Sequence, residues 1–517
     1  MRIFPRTHLL VAILLLLVSF GLPKVEAQSD ASDTIDTANC APPTYGCARS
    51  DLLTTNNVNP PPNVSKGKNA IVTPSDFKLP IVRITDGTSF KNETITTTLS
   101  GSDGDNIFNT NDTYVLVVDN GSWKYPVAFN PSTMQVQNTK PWVPGTNQVR
   151  FGGSGSFSRV NPQVVFAVPG AATEITGVNG NSTALYKITL AGTTSITASG
   201  SKVFDFADCP SMPNPYNTGN GIWHSVLSVS AGDKRFAQAF SNKKGGQDTG
   251  TDITVYDAPS GQCYRYDTAH AKLCTSTGCS PMSLPDEFTI HEVYMSLDGN
   301  YLRIAVGGCT NSACKATTGS HPYFWEIGTT NVTRCYSPAG TANCTGHMVE
   351  GYSHIYNGIL WPATAKRAFS DPLSYSMVNS VPDLTPDTDN HYSNNAADSK
   401  DTYPIWLTNV QNDLTTFGGK GCNKSGNRYE GCTFPGPLYG EIFGITQSGD
   451  YIRAAHTYNS GSSSNFNCQN TIGAVSQTGK FFAWTSDWLT TMGKDNTGAI
   501  RCDVFIVNLA AAQGSTN

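Results

Sequence analysis

Apolar and polar positions alternate in short runs along most of this chain, and the runs come in pairs. Met295-Ser296-Leu297-Asp298-Gly299-Asn300-Tyr301-Leu302-Arg303-Ile304-Ala305 has a counterpart in Ile445-Thr446-Gln447-Ser448-Gly449-Asp450-Tyr451-Ile452-Arg453-Ala454-Ala455 and another in Val475-Ser476-Gln477-Thr478-Gly479-Lys480-Phe481-Phe482-Ala483-Trp484. Shorter versions stand at Ser230-Ala231-Gly232-Asp233-Lys234-Arg235-Phe236 and Asn111-Asp112-Thr113-Tyr114-Val115-Leu116. Each is an apolar stretch, a polar turn holding Gly or Asp, and an alternating stretch. That is a β-hairpin signature, with Gly supplying the positive φ such turns need. Hairpins repeated over roughly 400 residues predict an all-β fold, a single β-propeller whose radial closure removes exposed sheet edges.

The run Ser476-Gln477-Thr478-Gly479-Lys480-Phe481-Phe482-Ala483-Trp484-Thr485-Ser486-Asp487-Trp488 resembles the TolB-type, WD-like propeller repeat, and Ser296 to Ala305 resembles it too. The usual repeat reads Ser-Pro-Asp-Gly-Lys; this chain lacks the Pro and carries Thr478 in place of Asp. The resemblance implies a fold and is nearly silent on function. One inner hairpin per blade places blades near 95–135, 145–195, 203–270, 285–335, 345–382, 388–415 and 436–509, seven in all, with six and eight as alternatives. Cys502 to Leu509 reads as the third strand of the last blade, and Leu79 to Asp86 as its outer neighbour, a swap that would close the ring without a covalent bond.

Composition sharpens this picture. Charged residues are 14% of 517, against about 25% in an ordinary soluble domain. Ser, Thr, Asn and Gly fill the difference, and such residues compete with helical backbone bonds. A net charge of −5 argues against a nucleic-acid partner, which needs a basic face. Arg2 and Arg6, an apolar run from Leu9 to Leu22 and the exit Val25-Glu26-Ala27 are the parts of a secretory signal over residues 1–27. The apolar run is shorter than the ~20 residues a membrane span needs, and no transmembrane segment is expected after cleavage. Residues 28–76 are rich in Pro, Asn and Ser and read as an irregular or disordered tether, 77–510 as the propeller, and 511–517 as a tail. The expected location is secreted or extracytoplasmic, with cell surface and periplasm both open.

Fourteen cysteines in an exported chain predict disulfides. Connectivity stays open from sequence, but neighbour pairing is favoured: Cys40 with Cys47, Cys274 with Cys279, Cys309 with Cys314, Cys335 with Cys344, and Cys422 with Cys432. That leaves Cys209 with Cys263 and Cys468 with Cys502, each closing a local β unit. Zinc is the rival, weakened by the lack of any CxxC pair. Asn63, Asn92, Asn111, Asn120, Asn181, Asn331, Asn343 and Asn423 head glycosylation sequons, many of which arise by chance in such a composition.

Catalytic signatures begin and fail. Gly351-Tyr352-Ser353-His354-Ile355 lacks the closing Gly of a nucleophile elbow. His291-Glu292 lacks the second His of a zinc protease, and Gly421-Cys422-Asn423-Lys424-Ser425 lacks the Gly before Lys of a phosphate loop. Asp103-Gly104-Asp105-Asn106 opens like a calcium loop but meets Tyr114 where a bidentate carboxylate is required. What remains is a set of candidate metal ligands. His224 and His291 precede their repeat turns by six and five residues, and Glu441 keeps the offset of His291 relative to Thr446. If all began innermost strands they would converge at the channel mouth, with His354 and His391 as further members; imidazoles beside a carboxylate suit a divalent metal or acid–base work. A one-residue change of offset reverses the face of a strand, so a structural role competes with this one. Trp123, Trp223, Trp325, Trp361, Trp406, Trp484 and Trp488 could stack on sugars, but their placement within strands favours inter-blade packing, and His456 and Asp487-Trp488 read as structural.

These readings favour a secreted, non-catalytic propeller that binds a glycan or protein, with no cofactor. The enzyme alternative is a metal-assisted polysaccharide lyase or hydrolase using His224, His291, His354 and Glu441. A third is a structural cell-surface component. Ligand and oligomeric state are not encoded in any motif.

Overall fold

The alternating runs form antiparallel strands, because β-branched and aromatic side chains pack well on a pleated, half-buried surface. The computed structural model describes residues 39–51, 67–89, 97–99, 106–119, 123–138, 149–169, 173–178, 183–212, 222–224, 226–244, 247–309, 322–334, 348–350, 354–357, 366–368, 389–396, 398–400, 402–410, 423–425, 428–430, 438, 440–446, 450–460, 468 and 471–511. Residues Asp36–Asn517 make one compact unit.

Sheets follow one another along the chain, each a meander. Sheet 1 holds Thr97–Leu99, Tyr114–Asp119, Lys124–Asn130 and Gln135–Val136. Sheet 2 holds Ser154–Phe157, Val164–Val168, Ala184–Ala191 and Thr197–Asp205. In sheet 3, Ile222–His224 and Ser228–Val229 both pair with Arg235–Lys244, followed by Gln247–Asp257, Gln262–Asp267, Lys272–Thr275 and Gly278–Pro281. Sheet 4 holds Phe288–Met295, Tyr301–Cys309, Tyr323–Glu326 and Val332–Arg334. Met348–Glu350, His354–Asn357 and Lys366–Ala368 form sheet 5. Sheet 6 runs Asp389–Ser393, Ile405–Val410, Glu441–Ile445 and Tyr451–His456. Sheet 7 starts with Gly473–Val475, Phe481–Ser486 and Asp503–Asn508.

Sheet 7 is then completed by the other end of the chain. Ile81–Arg83 pairs with Asp503–Asn508 in the register Ile81 to Val507, Val82 to Ile506 and Arg83 to Phe505, and Ile71–Val72 adds outside it. The seam is ionic as well as hydrogen-bonded. Arg83 Nη2 donates to Asp503 Oδ2 at 2.5 Å, Arg501 Nε to the same oxygen at 2.8 Å, and Thr85 Oγ1 to Asp503 Oδ1 at 2.9 Å. Asp503 is fully buried there.

Neighbouring sheets meet face to face through aromatic pairs. Phe481 of sheet 7 meets Phe129 of sheet 1 at 5.5 Å between ring centres, and Phe166 of sheet 2 meets Phe236 of sheet 3 at 4.6 Å. Tyr266 of sheet 3 meets Trp325 of sheet 4 at 5.6 Å, and Trp406 of sheet 6 meets Phe482 of sheet 7 at 6.2 Å. Sheets 1 and 2 share one apolar cluster with sheet 7, and the first strands of sheets 5 and 6 lie together. Successive antiparallel meanders, most of four strands, packed face to face and closed by an N-terminal strand, make this chain a β-propeller.

Two sequence expectations need correction. Blades at 388–415 and 436–509 do not exist as drawn: Ile405–Val410 pairs with Glu441–Ile445, so residues up to His456 belong to sheet 6. The supposed tether is also partly built in. Tyr45 is buried, sets its ring edge-on to Trp406 at 5.2 Å and donates its hydroxyl to the Gly479 carbonyl at 2.8 Å. Arg49 exchanges backbone hydrogen bonds with Arg453, extending sheet 6 at its outer edge. An irregular stretch with few apolar residues can still dock when one aromatic fills a slot. The slot depends on Gly479, at φ +72°, where a Cβ would stand 2.6 Å from the Tyr45 oxygen.

Among the described residues four disulfides are formed, Cys40–Cys47, Cys209–Cys263, Cys274–Cys279 and Cys468–Cys502. The second ties the turn after sheet 2 to the Gln262–Asp267 strand, and the last fastens the approach to sheet 7 to its third strand. The pairs expected for Cys309, Cys314, Cys335, Cys344, Cys422 and Cys432 involve side chains outside the described residues.

Ile506 sits at the closing seam with no exposed surface. Ile506→Ala should destabilise the protein by about 2–5 kcal/mol through the lost packing and the cavity left behind. Guanidinium denaturation followed by tryptophan fluorescence measures it; a loss below about 0.5 kcal/mol would mean the seam does not hold the ring.

Candidate functional site

The proposed metal ligands occupy unlike places in the sheets. His224 ends an innermost strand opposite Phe240, and His291 lies on the innermost strand of sheet 4. His354 is on the second strand of sheet 5, while His391 is on the first of sheet 6. The side chains of all four lie outside the described residues. At His291 the ladder slips: Ile290 faces Val306 and Glu292 faces Ala305, leaving His291 without a register partner.

Glu441 is placed differently from what its offset implied. It stands on the third strand of sheet 6, not an innermost one, because the Ile445 to Ala455 copy of the repeat is an outer hairpin. Its carboxylate is held by Arg453, Nε to Oε2 at 2.8 Å and Nη2 to Oε1 at 2.6 Å, and both residues have no exposed surface. Burial pushes the carboxyl up, opposed by the hydrogen bonds and charge of Arg453. Arg453 also donates to the Asp51 carbonyl at 2.9 Å, which locks the docked N-terminal segment. Among the described residues no three His, Cys, Asp or Glu side chains are grouped to hold a metal.

The tryptophans follow the packing expectation where they are described. Trp325, Trp406, Trp484 and Trp488 are fully buried, and Trp123 carries the Arg150 guanidinium 4.0 Å above its ring. The Trp223 and Trp361 side chains lie outside the described residues. Burial and the charges of Arg453 and Arg49 push the His456 imidazole down to about 3, so it is neutral, and Asp487 is spent on Ser460.

Polar side chains do converge at the inner turns. The turns share one device, a Ser hydroxyl that accepts the amide five residues on: Ser230 from Arg235 at 2.9 Å, Ser296 from Tyr301 at 3.0 Å, Ser476 from Phe481 at 3.2 Å. Each turn then reaches its neighbours. Ser158 and the Arg159 amide both donate to the Asp233 carboxylate, and Arg235 Nη1 donates to the Gly299 carbonyl at 2.7 Å. Gln477 Nε2 donates to the carbonyls of Phe108 at 2.9 Å and Ser158 at 3.1 Å, and Thr478 donates to Asp112 at 2.5 Å.

Arg159 goes farthest. Its Nε donates to the Val229 carbonyl of sheet 3 at 2.9 Å, and its Nη1 and Nη2 donate to the Asn395 carbonyl and amide oxygen after the first strand of sheet 6, at 3.3 and 3.2 Å. This one side chain of sheet 2 thus joins sheets 3 and 6. Burial pushes the guanidinium down to about 10, with Asp233 acting the other way. Sequence reasoning passed over Arg159, Asn395 and Gln477. The available signal was their position within one to three residues of an inner turn, not their chemistry.

No family model matches the chain, and no curated protein does. Among solved structures it is similar to oligogalacturonate lyase from Vibrio parahaemolyticus, at 10% identity over 89% of this chain and 98% of that one, with TM-score 0.38. An oligogalacturonate lyase in complex with manganese gives 9% identity, 85% and 95% coverage and TM-score 0.38. Dipeptidyl peptidase 4 of Porphyromonas gingivalis gives 9% identity, 85% and 56% coverage and TM-score 0.32. At these scores the likenesses carry no argument about this chain's chemistry.

Glu441→Gln should destabilise by about 3 kcal/mol, since it removes one of the two carboxylate partners of a buried guanidinium and leaves Asp51 alone to balance its charge, and should speed proteolysis at residues 39–51. Metal content of the purified protein should not change. Loss of a bound metal in this variant would put Glu441 back among the ligands.

Proposed function

We propose that this chain is an exported, disulfide-bonded propeller of seven blades that acts by binding a glycan or a protein, without catalysis. The observation that carries the reading is the convergence of turns from sheets 1, 2, 3, 4, 6 and 7 at one end of the ring, joined through Arg159, Gln477 and Asp233. Loops held by a rigid scaffold are where binding sites are built. Export is supported by the N-terminal pattern over residues 1–27 and by disulfides, which persist in oxidising compartments. Among the described residues no helix is long and apolar enough to cross a membrane. The TolB-type resemblance accounts for the inner turns and adds no ligand. The test is a glycan array with the purified chain, followed by Gln477→Ala. Binding to a defined set of glycans, weakened at least tenfold by the substitution, is the expected result. Binding that survives it unchanged would move the site elsewhere.

One observation favours a second reading, a metal-assisted polysaccharide lyase or hydrolase with His224, His291 and His354 as ligands. The ladder irregularity at His291 is of the kind that re-aims a side chain, and such bulges collect beside active sites. Elemental analysis separates the two readings: the binding reading expects no stoichiometric metal, whereas one metal per chain, lost in His291→Ala, would establish the enzyme reading.

A further inference from the structure

At the joint between sheets 7 and 1 the repeat departs from its own pattern. In sheet 4 the turn carries its own carboxylate: the Ser296 hydroxyl donates to Asp298 Oδ1 at 2.5 Å. In sheet 7 the equivalent position is Thr478, and a carboxylate comes from the neighbouring sheet instead. Asp112, in the inner turn of sheet 1, accepts the Thr478 hydroxyl on Oδ2 at 2.5 Å. Asp112 is almost fully buried, and its Oδ1 meets no donor among the described residues. Its backbone is left-handed at φ 60°, a conformation Asp and Asn tolerate best among non-glycine residues.

We propose that the buried joint at Asp112 and Thr478 is a pH-sensitive latch on the last joint of the ring, held most firmly when the carboxyl is protonated and loosened when a charge forms there. The Thr478 hydroxyl bonds a carboxylate better than a neutral acid, but a carboxylate with almost no exposed surface carries a charge that burial disfavours by more, so ionisation favours opening the joint to water. Burial pushes this carboxyl up to about 6, against the hydroxyls of Thr478 and Ser476 and the charge of Lys480. Lys480 is the cation on the sheet 7 turn; from sheet 2, beyond Ser158, comes Arg159, and from the inner turn of sheet 3 its partner Asp233. The Asp112 turn itself, Asn109 to Thr113, brings no other titratable side chain. A group raised from 3.8 to about 6 in the fold stabilises fully below 3.8, and that stabilisation is lost as pH rises through 6. The latch is independent of what the propeller binds.

Hydrogen exchange of the full chain at pH 5.0 and 7.5, corrected for intrinsic rates, tests it. Peptides covering 106–116 and 474–482 should open about tenfold more often at pH 7.5 than at pH 5.0, as the two carboxyl values require. Asp112→Asn, which suits the left-handed turn and cannot ionise, should abolish that difference at these peptides. Asp487, also pushed up to about 6, lies away from the joint and is unchanged in the variant, so the wild-type minus variant difference isolates Asp112. Lys480→Met should move the midpoint of the wild-type response to higher pH. Equal pH dependence in wild type and Asp112→Asn, or a midpoint that ignores Lys480, would overturn the latch.

Discussion

The whole molecule depends on one strand pair, Ile81–Arg83 against Asp503–Asn508. A propeller of separate meanders has no covalent reason to close, and open sheet edges invite pairing with other chains. Here closure joins residues more than 400 positions apart, such as Arg83 and Asp503 at a separation of 420. The hydrogen-bonded register is backed by a carboxylate with two guanidinium partners and no exposed surface. Removing one partner of such a group leaves a buried charge, so the seam is intolerant of change in a way that surface ion pairs are not. Once it forms, sheet 7 is held against sheet 1 on one side and sheet 6 on the other, through the aromatic pairs Phe481–Phe129 and Trp406–Phe482.

A second layer of order comes from the inner turns. A Ser hydroxyl closing each turn on an amide is a local device, cheap in sequence and repeated. What links the turns is not repeated: Asp233 serves Ser158 and Arg159, Gln477 serves two carbonyls on two sheets, and Arg159 joins sheets 3 and 6. The docked N-terminal segment works the same way at the outer edge, with Tyr45 on Gly479 and Arg453 shared between Glu441 and Asp51. Polar groups that looked available for chemistry are in these cases spent on holding sheets together, which is what burial demands of them.

Much of the scaffold could be read beforehand, and the misreadings share one cause. The hairpins at Ser296 and Ser476, the closing strand near Leu79 and the Cys209–Cys263 pairing all follow from short-range pattern or simple elimination. Glu441 was misplaced because an inner hairpin and an outer hairpin have the same sequence signature. Apolar alternation around Gly-Asp-Tyr-Ile-Arg says that two strands turn back on each other; it says nothing about which strand lies nearest the axis. The same ambiguity misdrew the boundary between the last two blades. Residues 39–51 were misread because one buried aromatic, Tyr45, decides the fate of an otherwise polar stretch.

The sequence by itself pointed to the strands, the hairpin turns and the close cysteine pairs Cys40–Cys47 and Cys274–Cys279, since period-two alternation, glycine dihedrals and close cysteine spacing act over a few residues. Tertiary structure alone decided which hairpins face the axis, that Glu441 belongs to Arg453, and that Asp112 and Thr478 meet at all. The Asp112–Thr478 meeting joins sheets whose residues are 366 positions apart, and the place of a hairpin relative to the axis, which also brings Glu441 onto Arg453 within one hairpin, is set by which strand its sheet adds it to.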